Sequence, residues 1–275
     1  MNILVTNDDG IDSVGLHVLA RGLREHGDVV VAAPDGEYSG SGASLGAIHL
    51  MQPELHRAEI DGIDESWAIS APPAMCVLFS RLGAFGRRFD LVVSGINPGI
   101  NVGRSVYHSG TVGAALTARN GGCNAIAVSQ EVEGFGVEGQ GWDDVLDDQR
   151  WDTAAEIASV AAGGILADPP DEPQVLNINL PNAPIDELKG WKLTTVGGAP
   201  PRTLGKVNLE AKAGHEGTFK LKMEWGDPVA APEHTDGGAV MAGYVSLSWL
   251  SRLEACEPEG SAGAEKAIDQ FLSGQ

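Results

Sequence analysis

The first 35 residues alternate between apolar and polar stretches in a way that predicts a strand, a helix and a second strand. Residues 2–6 form a short apolar run of the kind found in buried strands. Leu16, Leu19 and Leu23 then recur at the three- and four-residue spacing of an amphipathic helix. A second apolar run at 29–33 ends at a Pro-Asp-Gly turn. Together they form a βαβ unit, which predicts a parallel sheet with right-handed crossovers.

The same alternation continues through the first two thirds of the chain. Further strands are expected at 91–95, 125–129 and 175–180, further helices at 72–82, 111–120 and 153–166, and shorter polar strands within 45–70. These elements predict a doubly wound α/β core with a mostly parallel sheet.

The pattern changes after the last of these strands. Residues 190–242 hold Gly, Pro and scattered charges with little helical period, which predicts β-hairpins or an arm. A strand near 244–247 and a helix over 262–272 follow. We therefore expect a core at 1–189, a β-rich arm at 190–242, and a strand and helix at 243–275 that return to the core.

Composition and charge narrow the possible functions. The 275 residues are 43% hydrophobic and 20% charged, so a large core can form and disorder is excluded. Lys and Arg total 18 against 38 Asp and Glu, which gives a net charge of −20. Binding to duplex nucleic acid or to an anionic membrane needs clustered basic residues, so neither is expected. Two hypotheses stay open for the acidic surface: a salty cytoplasm or an ordinary acidic enzyme.

Cysteine spacing and hydropathy indicate a reduced, cytoplasmic protein. Cys76, Cys123 and Cys256 are far apart and form no CxxC pair, which argues against a disulfide framework and against a zinc site. The start of the chain lacks the pattern of a signal peptide. The longest mostly apolar stretch, 157–167, is shorter than the roughly 20 residues that a membrane span needs.

Candidate chemistry lies in the loops after three strands. Asp8 and Asp9 follow the first strand, Ser39 lies in the loop after the second, and Asn97 follows the strand at 91–95. Ligands of open α/β sheets bind at the carboxyl ends of the strands, so these loops are expected to converge. Adjacent carboxylates raise each other's pKa unless a cation joins them, and oxygen ligands suit Mg²⁺, Mn²⁺ or Ca²⁺. The alternative for the Asp-Asp-Gly sequence is a capped tight turn.

A second candidate feature is an anion site. Ser109, Gly110 and Thr111 stand at the start of the helix at 111–120, where free N–H groups and the helix dipole favour a phosphate. A plain N-cap would explain only one of the hydroxyl groups. The fingerprints of dinucleotide-binding and P-loop proteins are both missing.

These residues resemble the survival protein SurE family. The resemblance rests on the Asp-Asp-Gly segment at 3–10, the Ser-Gly-Ile-Asn motif at 94–97 and the His-Ser-Gly-Thr motif at 108–111, and it extends to segments 33–39, 176–181 and 243–246. It implies a Rossmann-like fold and a phosphatase that acts on nucleoside 5′- and 3′-monophosphates, with short polyphosphate as a further substrate. It also implies an arm that exchanges between subunits, giving a homodimer or homotetramer.

Carried over by position, the resemblance implies the roles of individual residues. One divalent cation per subunit, Mg²⁺ or Mn²⁺, would be bound by Asp8, Asp9, Ser39 and Asn97. The phosphate pocket would be lined by Asn101, Ser109, Gly110 and Thr111. One departure is the segment at 70–76, where Ala71, Pro72 and Met75 replace the Gly, Thr and Asp that are usual in the family. It puts the local loop geometry and the substrate preference in question.

The resulting hypothesis is metal-dependent hydrolysis of phosphomonoesters. Asp8 or Asp9 would orient or deprotonate the attacking water, and the sequence does not choose between them. The alternative hypothesis is a nucleotide-binding regulatory protein with the same fold that has lost turnover.

Overall fold

A computed structural model describes residues 1–46, 48, 50, 52–132, 146, 148–198, 202–255 and 262–273. The strands are β1 (Asn2–Thr6), β2 (Asp28–Pro34), β3 (Leu55–Arg57), β4 (Glu65–Ile69), β5 (Leu91–Pro98), β6 (Asn124–Gln130), β7 (Val175–Leu180), β8 (Trp191–Leu193), β9 (Arg202–Ala211), β10 (Phe219–Pro228) and β11 (Val245–Leu250). The α-helices are α1 (Val14–Gly22), α2 (Pro73–Phe79), α3 (Gly110–Asn120), α4 (Trp151–Ala167), α5 (Asp236–Met241) and α6 (Gly263–Ser273).

The main sheet has the order β3-β4-β2-β1-β5-β6-β7-β11-β8. Its six central strands, from β4 to β7, are parallel, whereas β3 and β11 each run antiparallel to their inner neighbours. The chain builds outward from β1 through β2 to β4, then returns to the other side of β1 with β5. This reversal creates the crevice, between the ends of β1 and β5, in which ligands of doubly wound sheets bind. The predicted fold class is confirmed.

Two apolar layers cover the faces of the sheet. On one face α1 and α4 pack through Leu16, Leu19 and Ala158. On the other face α2 and α3 pack through Met75 and Val112. The central strands are buried on both faces, which is why they form continuous apolar runs rather than alternating ones.

The segment after β7 contributes to three different parts of the structure. β8 pairs with β11 in the main sheet, β9 and β10 form a separate antiparallel hairpin, and α5 follows the hairpin. Hence the region 190–242 contains a sheet strand and a helix as well as the hairpin. The division into a core, an arm and a C-terminal segment stays a prediction.

Several local predictions are confirmed with shifted ends. The helix expected at 153–166 begins earlier, at Trp151, and the strand expected at 91–95 continues to Pro98. The polar strands expected within 45–70 are β3 and β4, and the turn between them contains Gly62 at a φ of +76°. Cys256 and residues 133–145, which follow β6, lie outside the described residues. Within the described residues, no helix combines the length and apolarity that crossing a bilayer requires.

Candidate active site

Asp8 and Asp9 lie in the turn that follows β1, at the carboxyl edge of the sheet. The Asn7 side chain closes this turn by donating Nδ2–H to the Gly10 carbonyl at 2.9 Å. Gly10 has a φ of +105°, and a Cβ there would lie 3.2 Å from the backbone of Gly36 in the loop after β2. Glycine therefore lets the first two loops approach each other, and the turn places the carboxylates between them.

Asp8 is fixed by the helix that follows β5. The Thr111 hydroxyl donates a hydrogen bond of 2.5 Å to Asp8 Oδ1. A Cβ on Gly110 would lie 2.7 Å from Asp8 Oδ2, so the start of α3 is in close contact with this carboxylate. The backbone N–H of Tyr38 donates to the Asp8 carbonyl at 2.7 Å. Asp8 is only 3% exposed and is held from both adjoining loops.

The first turn of α3 has the properties of an anion site. Ser109 is the N-cap, and its hydroxyl oxygen accepts the Val112 N–H at 3.1 Å. The loop after β2 lies against this turn, where a Cβ on Gly110 would be 2.8 Å from Ser41 Oγ. Ser41 Oγ is buried and has no hydrogen-bond partner. Buried polar atoms are normally hydrogen-bonded, so this hydroxyl is available to a ligand.

Burial raises the pKa values of both carboxylates in the metal-free protein. For Asp9, desolvation is the largest cause, followed by the charges of Asp8 and Glu37, and together they raise the pKa to about 8. Burial also raises the pKa of Asp8, although the Thr111 hydrogen bond opposes this. Asp9 Oδ2 is buried without a partner. A divalent cation at this position would compensate the negative charge and would be coordinated by Asp9 Oδ2.

Ser39 lies in the loop after β2, and Asn97 lies near the end of β5, the strand that pairs with β1. Ser39 is exposed, and its N–H donates to Glu37 Oε1 at 2.8 Å. Asn97 follows an irregularity in the pairing of β5 with β6, and its Nδ2 donates to the Gly99 carbonyl at 2.6 Å. The Asn97 side-chain oxygen is then the atom suited to a cation. Their role as ligands stays a prediction.

The donor set is unlike that of a zinc site. Within the residues that the structure describes, no three side chains of His, Cys, Asp or Glu are grouped so that they could hold a metal ion. Two carboxylates with neutral oxygen atoms instead suit Mg²⁺ or Mn²⁺. Cys76 and Cys123 are both free and buried.

Asn101 has a different set of hydrogen-bond partners from the other predicted phosphate ligands. Its Nδ2 donates to Ser129 Oγ at 2.9 Å, and its backbone N–H donates to Asn179 Oδ1 at 2.7 Å. The side chain of Asn177 donates to the Asn101 carbonyl at 3.0 Å. Asn101 is thus anchored to β6 and β7, and among the described hydrogen bonds none joins it to Ser109, Gly110 or Thr111.

Comparison with known proteins identifies the family of the chain. The family model described as Survival protein SurE matches residues 3–202. The chain belongs to the survival protein SurE family. This confirms the resemblance found in the sequence motifs.

Individual SurE relatives match over nearly their whole length. The 5′-nucleotidase SurE of Mannheimia succiniciproducens is 34% identical over 255 residues, which covers 90% of this chain and 91% of the relative. The 5′/3′-nucleotidase SurE of Salmonella arizonae is 35% identical over 250 residues, with 91% and 90% covered. The crystal structure of the SurE protein from Aquifex aeolicus has a TM-score of 0.74 at 30% identity and covers 99% of this chain and 100% of its own.

The segment that departs from the usual SurE pattern lies in the core. Pro72 is the N-cap of α2 and has no side-chain hydrogen bond to the helix. Ala71 and Met75 are fully buried in the apolar layer beneath α2 and α3. The apolar side chains at 71–76 therefore pack the helix against the sheet.

Two residues near the carboxylates are not identified as part of the site by any motif of their own in the sequence. Glu37 is exposed, but its charge raises the pKa of both Asp8 and Asp9. Ser41 belongs to a Ser-Gly repeat of a kind common in loops, and only the packing of the loop on α3 distinguishes it. Both lie in the loop that carries Ser39, so only the predicted convergence of the loops indicated that they lie near the carboxylates.

Proposed function

We propose that the protein is a metal-dependent phosphatase that hydrolyses nucleoside 5′- and 3′-monophosphates to nucleoside and phosphate. The proposal rests on one observation: Asp8 lies directly against the first turn of α3, and two buried polar atoms nearby, Asp9 Oδ2 and Ser41 Oγ, have no hydrogen-bond partner. Such a site offers carboxylate oxygens to a cation and, next to them, hydrogen-bond donors to an anion. The SurE relatives named as nucleotidases support the choice of substrate.

The cation would be bound by Asp8, Asp9, Ser39 and Asn97, with Mg²⁺ or Mn²⁺ as the candidate. When bound, a divalent cation supplies Lewis-acid chemistry, which polarises a phosphoryl oxygen and makes water more acidic. Thr111 has a supporting role here, because its hydroxyl donates a hydrogen bond to Asp8 and orients that carboxylate. Of the two carboxylates, Asp9 is the better placed to orient or deprotonate the attacking water, because Asp8 already accepts a hydrogen bond from Thr111.

The phosphate would bind at the start of α3. Backbone N–H groups of its first turn, including those of Gly110 and Thr111, would donate to the anion, and the helix dipole would add favourable charge. Ser109 Oγ already accepts the Val112 N–H, which leaves its own O–H free to donate to a phosphate oxygen. These donors would stabilise the charge that develops on the equatorial oxygens during in-line attack.

We further propose that the protein acts as a homodimer or homotetramer joined through its arm. The β9–β10 hairpin stands apart from the main sheet, and isolated two-stranded hairpins are marginally stable in water. A second subunit would supply the missing contacts. The cytoplasmic location stays a prediction.

The test is phosphate release from a panel of nucleoside 5′- and 3′-monophosphates and short polyphosphate. Each substrate is assayed with Mg²⁺, with Mn²⁺ and with EDTA, at low and at molar KCl. We expect metal-dependent release from the monophosphates, and higher kcat/KM at high salt because salt screens repulsion between the substrate and a chain of charge −20. Nucleotide binding without release under every condition would favour the regulatory alternative.

A further inference from the structure

Asp236 is a buried carboxylate outside the site described above. It is the first residue of α5 and is 1% exposed. Its Oδ2 accepts the N–H of Gly103 at 2.8 Å, while its Oδ1 accepts the N–H groups of Gly197 at 3.0 Å and Gly237 at 2.8 Å. A buried charge is tolerated only when it is well hydrogen-bonded, so these three bonds hold the carboxylate firmly. One side chain thus connects three chain segments.

Two of these segments form the root of the arm, which comprises residues 194–198 and 232–236. The outgoing and returning chains are paired there, because Thr195 N–H donates to the His234 carbonyl at 3.2 Å. The Thr195 carbonyl accepts the N–H of Asp236 at 2.9 Å. Asp236 therefore lies where the chain leaves for the hairpin and where it comes back.

The third segment, residues 101–103, is the loop that carries the predicted phosphate ligand Asn101. From the side of the sheet, Asn177 and Asn179 of β7 hold the backbone of Asn101. From the opposite end of the loop, Asp236 holds Gly103. Removal of either support would leave one end of this short loop free to move.

A second bond reinforces the link between the loop and the arm. Arg104 Nε donates to the Gly198 carbonyl at 2.6 Å. We propose that Asp236 is a positioning residue for phosphate binding, which fixes the loop of Asn101 to the root of the arm so that the shape of the pocket depends on the arm. The proposal rests on the proposed function, since that function makes the pocket a phosphate site.

Three variants separate this role from a purely structural one. Asp236→Asn keeps the size of the side chain, but its amide nitrogen cannot accept a hydrogen bond, so at least one of the three N–H groups loses its partner. Arg104→Ala breaks only the bond to Gly198 and alters an exposed side chain. Thr235→Ala is the control, because it removes the hydroxyl that bonds the Gly238 N–H and the Pro232 carbonyl but leaves the bonds of Asp236 to Gly103 and Gly197 untouched.

Two measurements do not require turnover. One is hydrogen exchange of the peptide spanning residues 99–106, and the other is the affinity for inorganic phosphate in the presence of Mn²⁺. For Asp236→Asn we expect exchange and the phosphate Kd each to rise about tenfold, and KM for a nucleotide to rise by a similar factor with kcat changed less than about threefold. Arg104→Ala should show a smaller change in the same direction. Thr235→Ala should lower Tm and leave the other values within about twofold.

Unchanged exchange at residues 99–106 in Asp236→Asn would overturn the proposal, whatever the activity of the wild type. Equal effects of Thr235→Ala and Asp236→Asn would also overturn it, because helix stability would then explain both. If Asp236→Asn does not fold, Arg104→Ala decides, and unchanged exchange in that variant would overturn the link. Failure of the proposed function is seen separately, as a folded wild type that releases no phosphate from nucleotides.

Discussion

Asp8 and Asp9 are neighbours in the sequence but differ in their contacts. Asp8 accepts a hydrogen bond from Thr111, whereas Asp9 has a buried oxygen without a partner. Desolvation of an unpartnered carboxylate favours its protonated form, and the charge of Asp8 adds to that effect. The protein thus maintains a site that is electrostatically unfavourable when it holds no cation.

The raised pKa of Asp9 predicts how the stability of the metal-free protein depends on pH. A carboxyl whose pKa rises from 3.8 to about 8 on folding stabilises the folded state fully below pH 3.8, and that contribution is lost as the pH rises through 8. Between pH 6 and pH 9, the free energy of unfolding should therefore fall further in EDTA-treated wild type than in Asp9→Asn. The two decreases should differ by at least about 1 kcal/mol, since one pKa unit corresponds to about 1.4 kcal/mol. Parallel curves of unfolding free energy against pH for the two proteins would contradict this account.

Gly110 provides a second prediction for a single residue. A Cβ at this position would lie 2.7 Å from Asp8 Oδ2 and 2.8 Å from Ser41 Oγ, so Gly110→Ala must displace the site. We expect kcat/KM for a nucleotide to fall by about a hundredfold or more, the loss typical of a misplaced catalytic group. The control is Gly164→Ala in α4, where a Cβ meets nothing within 4 Å and activity should not change. Full activity of Gly110→Ala would show that the contact with α3 is not needed.

At the scale of residues, the sequence revealed the charged members of the site better than the neutral ones. The adjacent aspartates were conspicuous because two like charges after a buried strand need an explanation. Ser41 and Asp236 gave no such signal, since serine and aspartate are common in loops and at helix starts. Their importance comes from contacts between segments that are far apart in the chain, and local patterns do not report these.

Among the elements, α3 has a cap that also belongs to the site. Ser109→Ala removes the hydrogen bond to Val112 N–H and the hydroxyl available to phosphate, so it should lower the free energy of unfolding by about 1 kcal/mol and weaken phosphate binding. Ser109→Asn keeps a capping oxygen, so it should restore most of the stability. Urea unfolding and phosphate titration separate the two effects. If Ser109→Ala binds phosphate as tightly as the wild type, the hydroxyl acts only as a cap.

Elements with strong local signals were predicted from the sequence, and those defined by tertiary contacts were not. The strands β1 and β2 are buried over most of their length and therefore form continuous apolar runs. β8 is three residues long, and α5 is six, so neither provides enough residues for a periodic pattern. β8 is stabilised as a strand by its pairing with β11, which lies about 50 residues further along the chain.

At the scale of the whole molecule, the exposed apolar face of the β9–β10 hairpin predicts an interface with another subunit. Leu209 and Leu221 face each other across the strands and are 65% and 75% exposed, with Val207 and Phe219 on the same face. The opposite face carries the ion pairs Lys206–Glu224 and Lys222–Glu210. A hairpin that is apolar on one side and charged on the other is typical of a surface covered by another subunit.

This interface is tested by a double variant. Leu209→Lys with Leu221→Lys places charges on the apolar face, so the assembled mass measured by analytical ultracentrifugation should fall. Lys220→Gln alters the opposite face and is the matched control, which should keep the mass of the wild type. Unchanged assembly in the double variant would show that the subunits associate elsewhere.

The central claim is that Asp8 and Asp9 bind a cation required for phosphate release, and reconstitution tests it most directly. Phosphate release from a nucleoside 5′-monophosphate is measured before EDTA treatment, after it, and after Mn²⁺ is added back to the same sample. We predict that activity is lost with EDTA and recovered with Mn²⁺ in the wild type, and that Asp9→Asn recovers none, because a neutral amide lacks the charge that compensates the cation. Activity that survives EDTA, or full recovery by Asp9→Asn, would contradict the account.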